Sequence, residues 1–315
     1  MMAEKTISTL GVTDWREERL PDLKGKIYVI TGGNSGIGFE AARMLGEAGA
    51  DVILACRSPE KAESARLQLL TTTKGSVSLV GLDLADTASV RAGAEGVRGM
   101  TDRIDGLINN AGIMHTPALK TKDGFELQFG TNHLGHFLWT ALLLDLVEAA
   151  AGRVVAVSSL VHKTGKKTID FDDLMLEKRY SRFDAYAQSK LANLMFAFEL
   201  DRRLAAKGSP AIAVACHPGY SVTNLQTTGP SRLLAMLYSV IKHGLSQSAH
   251  FGARPTVLAA AGVEAKRGAY YGPTRRKELL GPVSDARVSS YALDQSVQNR
   301  LWQESEKLLG ISFPA

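Results

Sequence analysis

Residues Lys26 to Arg57 read KIYVITGGNSGIGFEAARMLGEAGADVILACR, and the order of residue types in this stretch decides the fold. A β-rich run, Lys26 to Thr31, passes directly into the turn Thr31-Gly32-Gly33-Asn34-Ser35-Gly36-Ile37-Gly38. The helical FEAARMLGEAGA and a second apolar run, Asp51 to Cys56, follow. Strand, glycine turn, helix and strand form a βαβ unit. In such a unit the glycines let backbone approach a pyrophosphate, and the helix amino terminus offers it unpaired N–H groups and a positive dipole end. A glycine turn without a ligand is the alternative, and its position between strand and helix argues against that.

The alternation continues outward from this unit. Val77 to Leu82, Gly106 to Asn109, Arg153 to Ser158 and Ala211 to Cys216 are short β-rich runs. Between the runs, helical periodicity marks Gly36 to Ala48, Pro59 to Leu70, Thr87 to Arg98, Thr131 to Ala149 and Ala185 to Leu204. Together they predict an α/β fold, a Rossmann-like doubly wound parallel sheet with helices on both faces and ligands beyond the carboxyl ends of its strands. No linker or repeat divides the chain, so residues 25–315 are expected to form a single domain behind an N-terminal extension, residues 1–24. Residues 220–250 and everything after Gly272 are expected as additions around a completed sheet.

Composition narrows the function. The chain is 45% hydrophobic and 22% charged, an ordinary balance for a globular domain. Its 37 Lys and Arg against 32 Asp and Glu leave a net charge of +5, which favours anionic ligands. The basic clusters Lys163, Lys166, Lys167 and Arg275, Arg276, Lys277 lack interleaved aromatics, so no nucleic-acid partner is expected. The first residues carry no apolar stretch suited to a signal peptide, and no run is long enough to span a bilayer. Cys56 and Cys216 close apolar runs, as buried reduced thiols would. A cytoplasmic location follows as the expectation.

At the end of the second run stands Cys56-Arg57, where an NAD-binding unit carries an acidic residue for the ribose hydroxyls. A neutral residue there leaves nothing to repel a 2′-phosphate, and a guanidinium can pair with one in a fork geometry. NADP(H), with NADPH preferred over NADH, is therefore the expected cofactor; a surface arginine in an NAD enzyme is the alternative.

Tyr186-Ala187-Gln188-Ser189-Lys190 places a phenol and an ammonium on one helix face. A neighbouring ammonium, helped by a cationic nicotinamide, favours the phenolate, so Tyr186 becomes a candidate general acid/base. Ser158-Ser159 ends the run RVVAVSS, where a hydroxyl can hold a substrate oxygen. Asn109-Asn110-Ala111-Gly112 ends another strand as a polar turn, and Asn132 begins the apolar run NHLGHFLWTALLL. His133 and His136 lie three apart, but no third ligand has suitable spacing, so no metal is expected and both are read as packing and hydrogen-bonding residues. His217 is read as a structural histidine in preference to a ligand contact.

Taken in order, these motifs resemble the short-chain dehydrogenase/reductase family over roughly the first 270 residues. Asn132-His133-Leu134-Gly135-His136-Phe137, Ser158-Ser159-Leu160-Val161-His162 and Tyr186-Ala187-Gln188-Ser189-Lys190-Leu191-Ala192-Asn193 are most similar to its retinol dehydrogenase-like branch. The resemblance implies a catalytic tetrad of Asn132, Ser159, Tyr186 and Lys190. In it Tyr186 is the acid/base, Ser159 orients the carbonyl and Lys190 lowers the Tyr pKa and holds the ribose. Asn132 bends its helix and places a water in the proton relay. It also implies cofactor contacts from Gly32, Asn34, Ser35, Gly36, Ile37, Gly38, Arg57, Asp83, Leu84, Asn110, Ala111, Gly112, Tyr186, Lys190, Pro218, Gly219 and Thr223. Substrate contacts are expected from Ser159, Tyr186, Met236 and Tyr238, with a flap over about 160–183 and a lid over about 220–248.

The function so implied is hydride transfer between NADP(H) and the carbonyl or alcohol carbon of an apolar aldehyde, ketone, retinoid-like or steroid-like molecule. Weak membrane-surface contact and a homodimer or monomer complete the expectation. A catalytically silent NADP(H)-binding regulator of the same fold is the alternative, and a nucleotide-sugar epimerase is disfavoured because the chain has no large C-terminal sugar domain.

Overall fold

Successive residues of a buried parallel strand face opposite sides, so each central strand must supply apolar side chains to two cores. This happens along β2 (Ile27–Thr31), where Val29 enters one core and Ile30 the other. It recurs at Ile53 and Leu54 of β3 (Asp51–Cys56) and at Leu107 and Ile108 of β5 (Gly106–Asn109). Val154 and Val155 of β6 (Arg153–Val157) and Ala213 and Val214 of β7 (Ile212–Cys216) repeat the pattern. The computed structural model describes residues 4–6, 11–165, 167–220 and 247–315.

With β4 (Val77–Gly81), β8 (Tyr270–Arg275) and β9 (Leu280–Asp285), these strands form an eight-stranded sheet of order β4-β3-β2-β5-β6-β7-β8-β9. Helices α1 (Gly36–Glu47), α2 (Pro59–Leu69) and α7 (Ala249–Ala261) supply one core. Helices α3 (Thr87–Arg98), α5 (Gly135–Ala149), α6 (Arg182–Ala206) and α8 (Gln295–Leu309) supply the other. The chain winds outward from β2 through β3 to β4, then returns to β5 and winds the other way. The crevice beyond β2 and β5 is therefore the switch point, where such sheets hold their ligands.

Three features correct the sequence reading. Residues after Gly272 do not surround a finished sheet: β8 pairs parallel with β7, and β9 pairs antiparallel with β8 to complete it. The sequence YYGPTR hides this strand, because its Gly and Pro lower β propensity and its pairing to β7 spans only Ala215–Tyr270 and Cys216–Tyr271. The N-terminal extension does not stand apart from the domain either. Its Glu4–Thr6 (β1) pairs with Arg287–Ser289 (β10), and Trp15 is wholly buried, with its backbone N–H donating to Val283 O and its indole N–H to Glu264.

Finally, the helix expected over Thr131 to Ala149 begins earlier, as a short turn Leu127–Phe129 (α4). It widens into a π turn over Gly130–Leu134, closed by Gly135 N–H donating to Gly130 O, before continuing as α5. The segment expected as a flap packs against the body of the domain. Ile169 and Leu176 are buried, Gln188 receives Asp170 N–H and donates to Leu174 O, and the Tyr180 hydroxyl lies against Thr116 O and Glu126.

Candidate active site

The glycine turn leaves the amino end of α1 chemically open. Ser35 stands at the cap in extended backbone but its side chain accepts no N–H, and no acidic residue lies in the first turn. By contrast Ser58, Asp86, Ser181, Ser248 and Asp294 cap α2, α3, α6, α7 and α8 with their own side chains. Free amides and a positive dipole end thus point into the crevice, as an anionic ligand requires. Gly38 keeps it narrow: a Cβ there would lie 2.5 Å from Asn110 Nδ2 and 2.6 Å from Gly32 O.

Across the switch point, Thr31 ties the glycine turn to the turn after β5. Its Oγ1 accepts N–H bonds from Asn110 at 2.9 Å and Ala111 at 3.0 Å, while Asn110 Nδ2 donates to Thr31 O at 2.9 Å. Buried His136 lies with Nε2 2.8 Å from the same hydroxyl and Nδ1 2.9 Å from Asn132 O. A carbonyl can only accept, so Nδ1 carries the imidazole proton and Thr31 donates to Nε2. Burial holds His136 down to about 4, which keeps this tautomer neutral. Thr31→Val strands the Ala111 amide and a buried ring nitrogen, while Asn110 N keeps its bond to Ile108 O, and should cost about 2 kcal/mol. A denaturant melt of the unliganded protein checks this, and loss below about 1 kcal/mol would show that the network is idle.

The catalytic candidates converge here. A cavity of about 340 Å³ is lined by Gly32, Asn34 to Gly38, Asn110 to Gly112, Ser159, Tyr186, Lys190, Pro218 and Gly219. Lys190 is buried, donates from Nζ to Val157 O at 3.0 Å, and lies 5.9 Å from the Tyr186 ring centre. Ser158 Oγ donates to Lys190 O at 2.8 Å, so the end of β6 grips α6 at the level of the pair. Burial pushes the Tyr186 phenol up to about 12, and the nearby Ser159 hydroxyl offsets this only partly. Burial also lowers Lys190 to about 8. Before any cofactor arrives, desolvation therefore dominates, and Tyr186 is held as the neutral acid rather than as a phenolate.

Asn132 sits beneath the cavity and does not line it. Its Oδ1 accepts from Ile113 N at 2.8 Å, and Nδ2 donates to Ile113 O and Ser189 Oγ, both at 2.9 Å. Both amide hydrogens are committed, so the side chain braces the turn after Gly112 against α6, while the π turn supplies the bend. A Cβ at Gly112 would meet Asn132 Oδ1 at 3.2 Å and Lys190 Nζ at 3.4 Å, which places both beside that turn.

Arg57, Asp83 and Leu84 lie outside the cavity lining. Arg57 is exposed immediately after Cys56, whose thiol meets the N–H groups of Gly33 and Asn34. Asp83 Oδ1 accepts from Ala85 N, and Leu84 is buried. Thr223, Met236 and Tyr238, with most of the expected lid, lie outside the described residues. His217 is buried, its Nδ1 accepting from Gly219 N at 3.2 Å. His133 Nε2 meets Ser305 Oγ at 2.9 Å, joining α8 to the π turn. Met114, His115, Val161, Phe183 and Tyr220 also line the cavity and were not singled out from sequence. Met114 and His115 follow directly on the strand-end turn, the one local signal that marks them.

The profile of the family described as short chain dehydrogenase matches residues 26–171. Retinol dehydrogenase 12 of Homo sapiens is 44% identical over 295 residues, covering 92% of this chain and 88% of that protein. The chain belongs to the short-chain dehydrogenase family. It lies in the retinol dehydrogenase-like branch, as the further similarity to Retinol dehydrogenase 14 of Mus musculus shows, at 40% identity over 304 residues, 92% of this chain and 87% of that one. An uncharacterized protein from Mycobacterium Paratuberculosis has the same structure at TM-score 0.79 and 41% identity, covering 96% of this chain and all of that one. This dehydrogenase is thus a hydride-transfer oxidoreductase by family. Among its described residues no helix is long and apolar enough to cross a membrane.

Proposed function

We propose that this dehydrogenase reduces the carbonyl group of an apolar aldehyde or ketone with NADPH, Tyr186 serving as the proton donor. The reading rests above all on a neutral phenol and a buried amine brought together in the cavity that the glycine turn opens into. The residues present fit a phosphorylated dinucleotide. The uncapped amides of α1 would hold the pyrophosphate, the narrow floor over Gly38 admits backbone-close contact, and exposed Arg57 would take the 2′-phosphate. When bound, the nicotinamide supplies the hydride.

The chain's own residues supply the rest. Ser159 and Tyr186 hold the carbonyl oxygen, Tyr186 Oη gives its proton to that oxygen as charge develops there, and Lys190 keeps positive charge beside the phenolate that remains. The Asn132 side chain holds the turn that carries Gly112 and Ile113. Relatives named as retinol dehydrogenases favour a greasy substrate, and Val161, Met114 and Phe183 supply apolar wall. Reduction is the favoured direction because cells keep NADPH mostly reduced. The reading includes a cytoplasmic location, which fractionation of the native host tests.

Loss of NADPH absorbance with retinal, long-chain aldehydes, aryl ketones and steroids is the direct test of the activity. Turnover of at least one class at typical enzyme rates, above about 1 per second, is the expected result. Tight NADPH binding with no turnover would overturn it in favour of a silent regulator.

A further inference from the structure

His115 lines the cavity beside Tyr186, and nothing described so far uses it. Its backbone has a φ of 56°, in the left-handed region that residues with a side chain seldom enter unless surrounding structure holds them there. What holds it is visible. The His115 N–H donates to Gln128 Oε1 at 2.8 Å, and fully buried Gln128 is itself fixed by Nε2 donating to Tyr180 Oη and Arg182 O, both at 3.1 Å.

This backbone turn aims the imidazole at the reacting centre. Its ring stands edge-on to Tyr186 with centroids 6.2 Å apart at 82°, and lies 6.1 Å from Phe183. The ring is half-buried, and among the described residues neither nitrogen has a hydrogen-bond partner. Burial and nearby Arg182 hold it below its ordinary pKa, so near neutrality it presents one N–H and one lone pair. Its neighbours in this wall, Met114, Val161 and Phe183, are apolar. A polar group set among apolar ones in the wall beside Tyr186 discriminates between substrates by an oxygen atom.

We infer that His115 is a specificity-determining residue, which hydrogen-bonds a second oxygen, hydroxyl or keto, carried one or two carbons from the carbonyl that is reduced. The inference rests on the carbonyl-reductase reading and narrows its substrate class from plain apolar carbonyls to oxygenated ones.

The test compares methyl hexyl ketone with its α-hydroxy and β-hydroxy derivatives, using NADPH and the full chain. The wild-type protein should favour at least one hydroxy ketone by about tenfold in kcat/KM, the worth of one hydrogen bond. His115→Gly removes the ring while accepting the left-handed backbone without strain. It should bring that ratio to about 1, lowering the hydroxy-ketone value far more than the plain-ketone value. His115→Asn tolerates the same backbone and keeps a donor and an acceptor, so it should restore an intermediate ratio. Unchanged NADPH binding and melting temperature in both variants would exclude a folding effect. Wild-type turnover with no hydroxy preference, or a preference that survives in His115→Gly, overturns the inference alone. Absence of turnover with these ketones and with the panel above overturns the carbonyl-reductase reading, and this inference with it.

Discussion

Tyr186→Phe is expected to lower carbonyl reduction by about 10³-fold or more while NADPH binds nearly as before. The ring packs as it did, so folding survives, but the one proton positioned for the carbonyl oxygen is gone. Stopped-flow turnover and cofactor fluorescence separate the two effects, and full activity in the variant would remove Tyr186 from the reaction. Lys190 carries a linked expectation. Burial lowers its ammonium from the ordinary 10.5 to about 8. Between those values the unfolded chain binds more protons than the folded one, so this group's contribution to stability rises as pH climbs from about 8 to about 10.5. Below pH 8 the buried ammonium costs up to about 3 kcal/mol, less the value of its bond to Val157 O. Lys190→Met should therefore melt higher than wild type at pH 7 without cofactor, and yet lose most of its activity. A lower melting temperature in that variant at pH 7 would show that the buried charge is not the strained group proposed here.

Arg57→Glu is expected to exchange the cofactor preference. The exposed guanidinium follows Cys56, next to the amides of the glycine turn, and pairing it with a doubly charged phosphate is worth about 3 kcal/mol. Replacing it by a carboxylate both removes that pairing and adds repulsion, so KM for NADPH should rise by about 10²-fold or more while KM for NADH holds or falls. Because Arg57 is exposed, the melting temperature should hold. An unaltered ratio of the two constants would mean that Arg57 is a surface residue of an NAD enzyme.

The fold was legible in sequence wherever a short segment carries its whole meaning. The glycine turn, the Asn110-Ala111-Gly112 turn and Tyr186 with Lys190 each occupy a few consecutive residues. Each sits at the carboxyl end of a strand or the start of a helix, and the sheet order brings them to one crevice. The strand Tyr270–Arg275 was illegible because most of its pairing partners lie on the strand that follows it and its own composition argues against a strand. The burial of Trp15 within the N-terminal extension was not legible because its partners, Val283 and Glu264, are some 250 residues away. His115 gave only the local signal of its place after the strand-end turn, since what makes it informative is the buried Gln128 that holds its backbone.

Sequence alone therefore determined the architecture and the chemical types that meet in the crevice, because both depend on local patterning of apolar, glycine and polar residues. Tertiary structure decided how those groups behave. The neutral phenol, the weakened ammonium, the committed amide of Asn132 and the aim of the His115 ring all depend on burial and hydrogen bonds from distant parts of the chain. Desolvation by those neighbours sets protonation, and linear spacing carries no record of it.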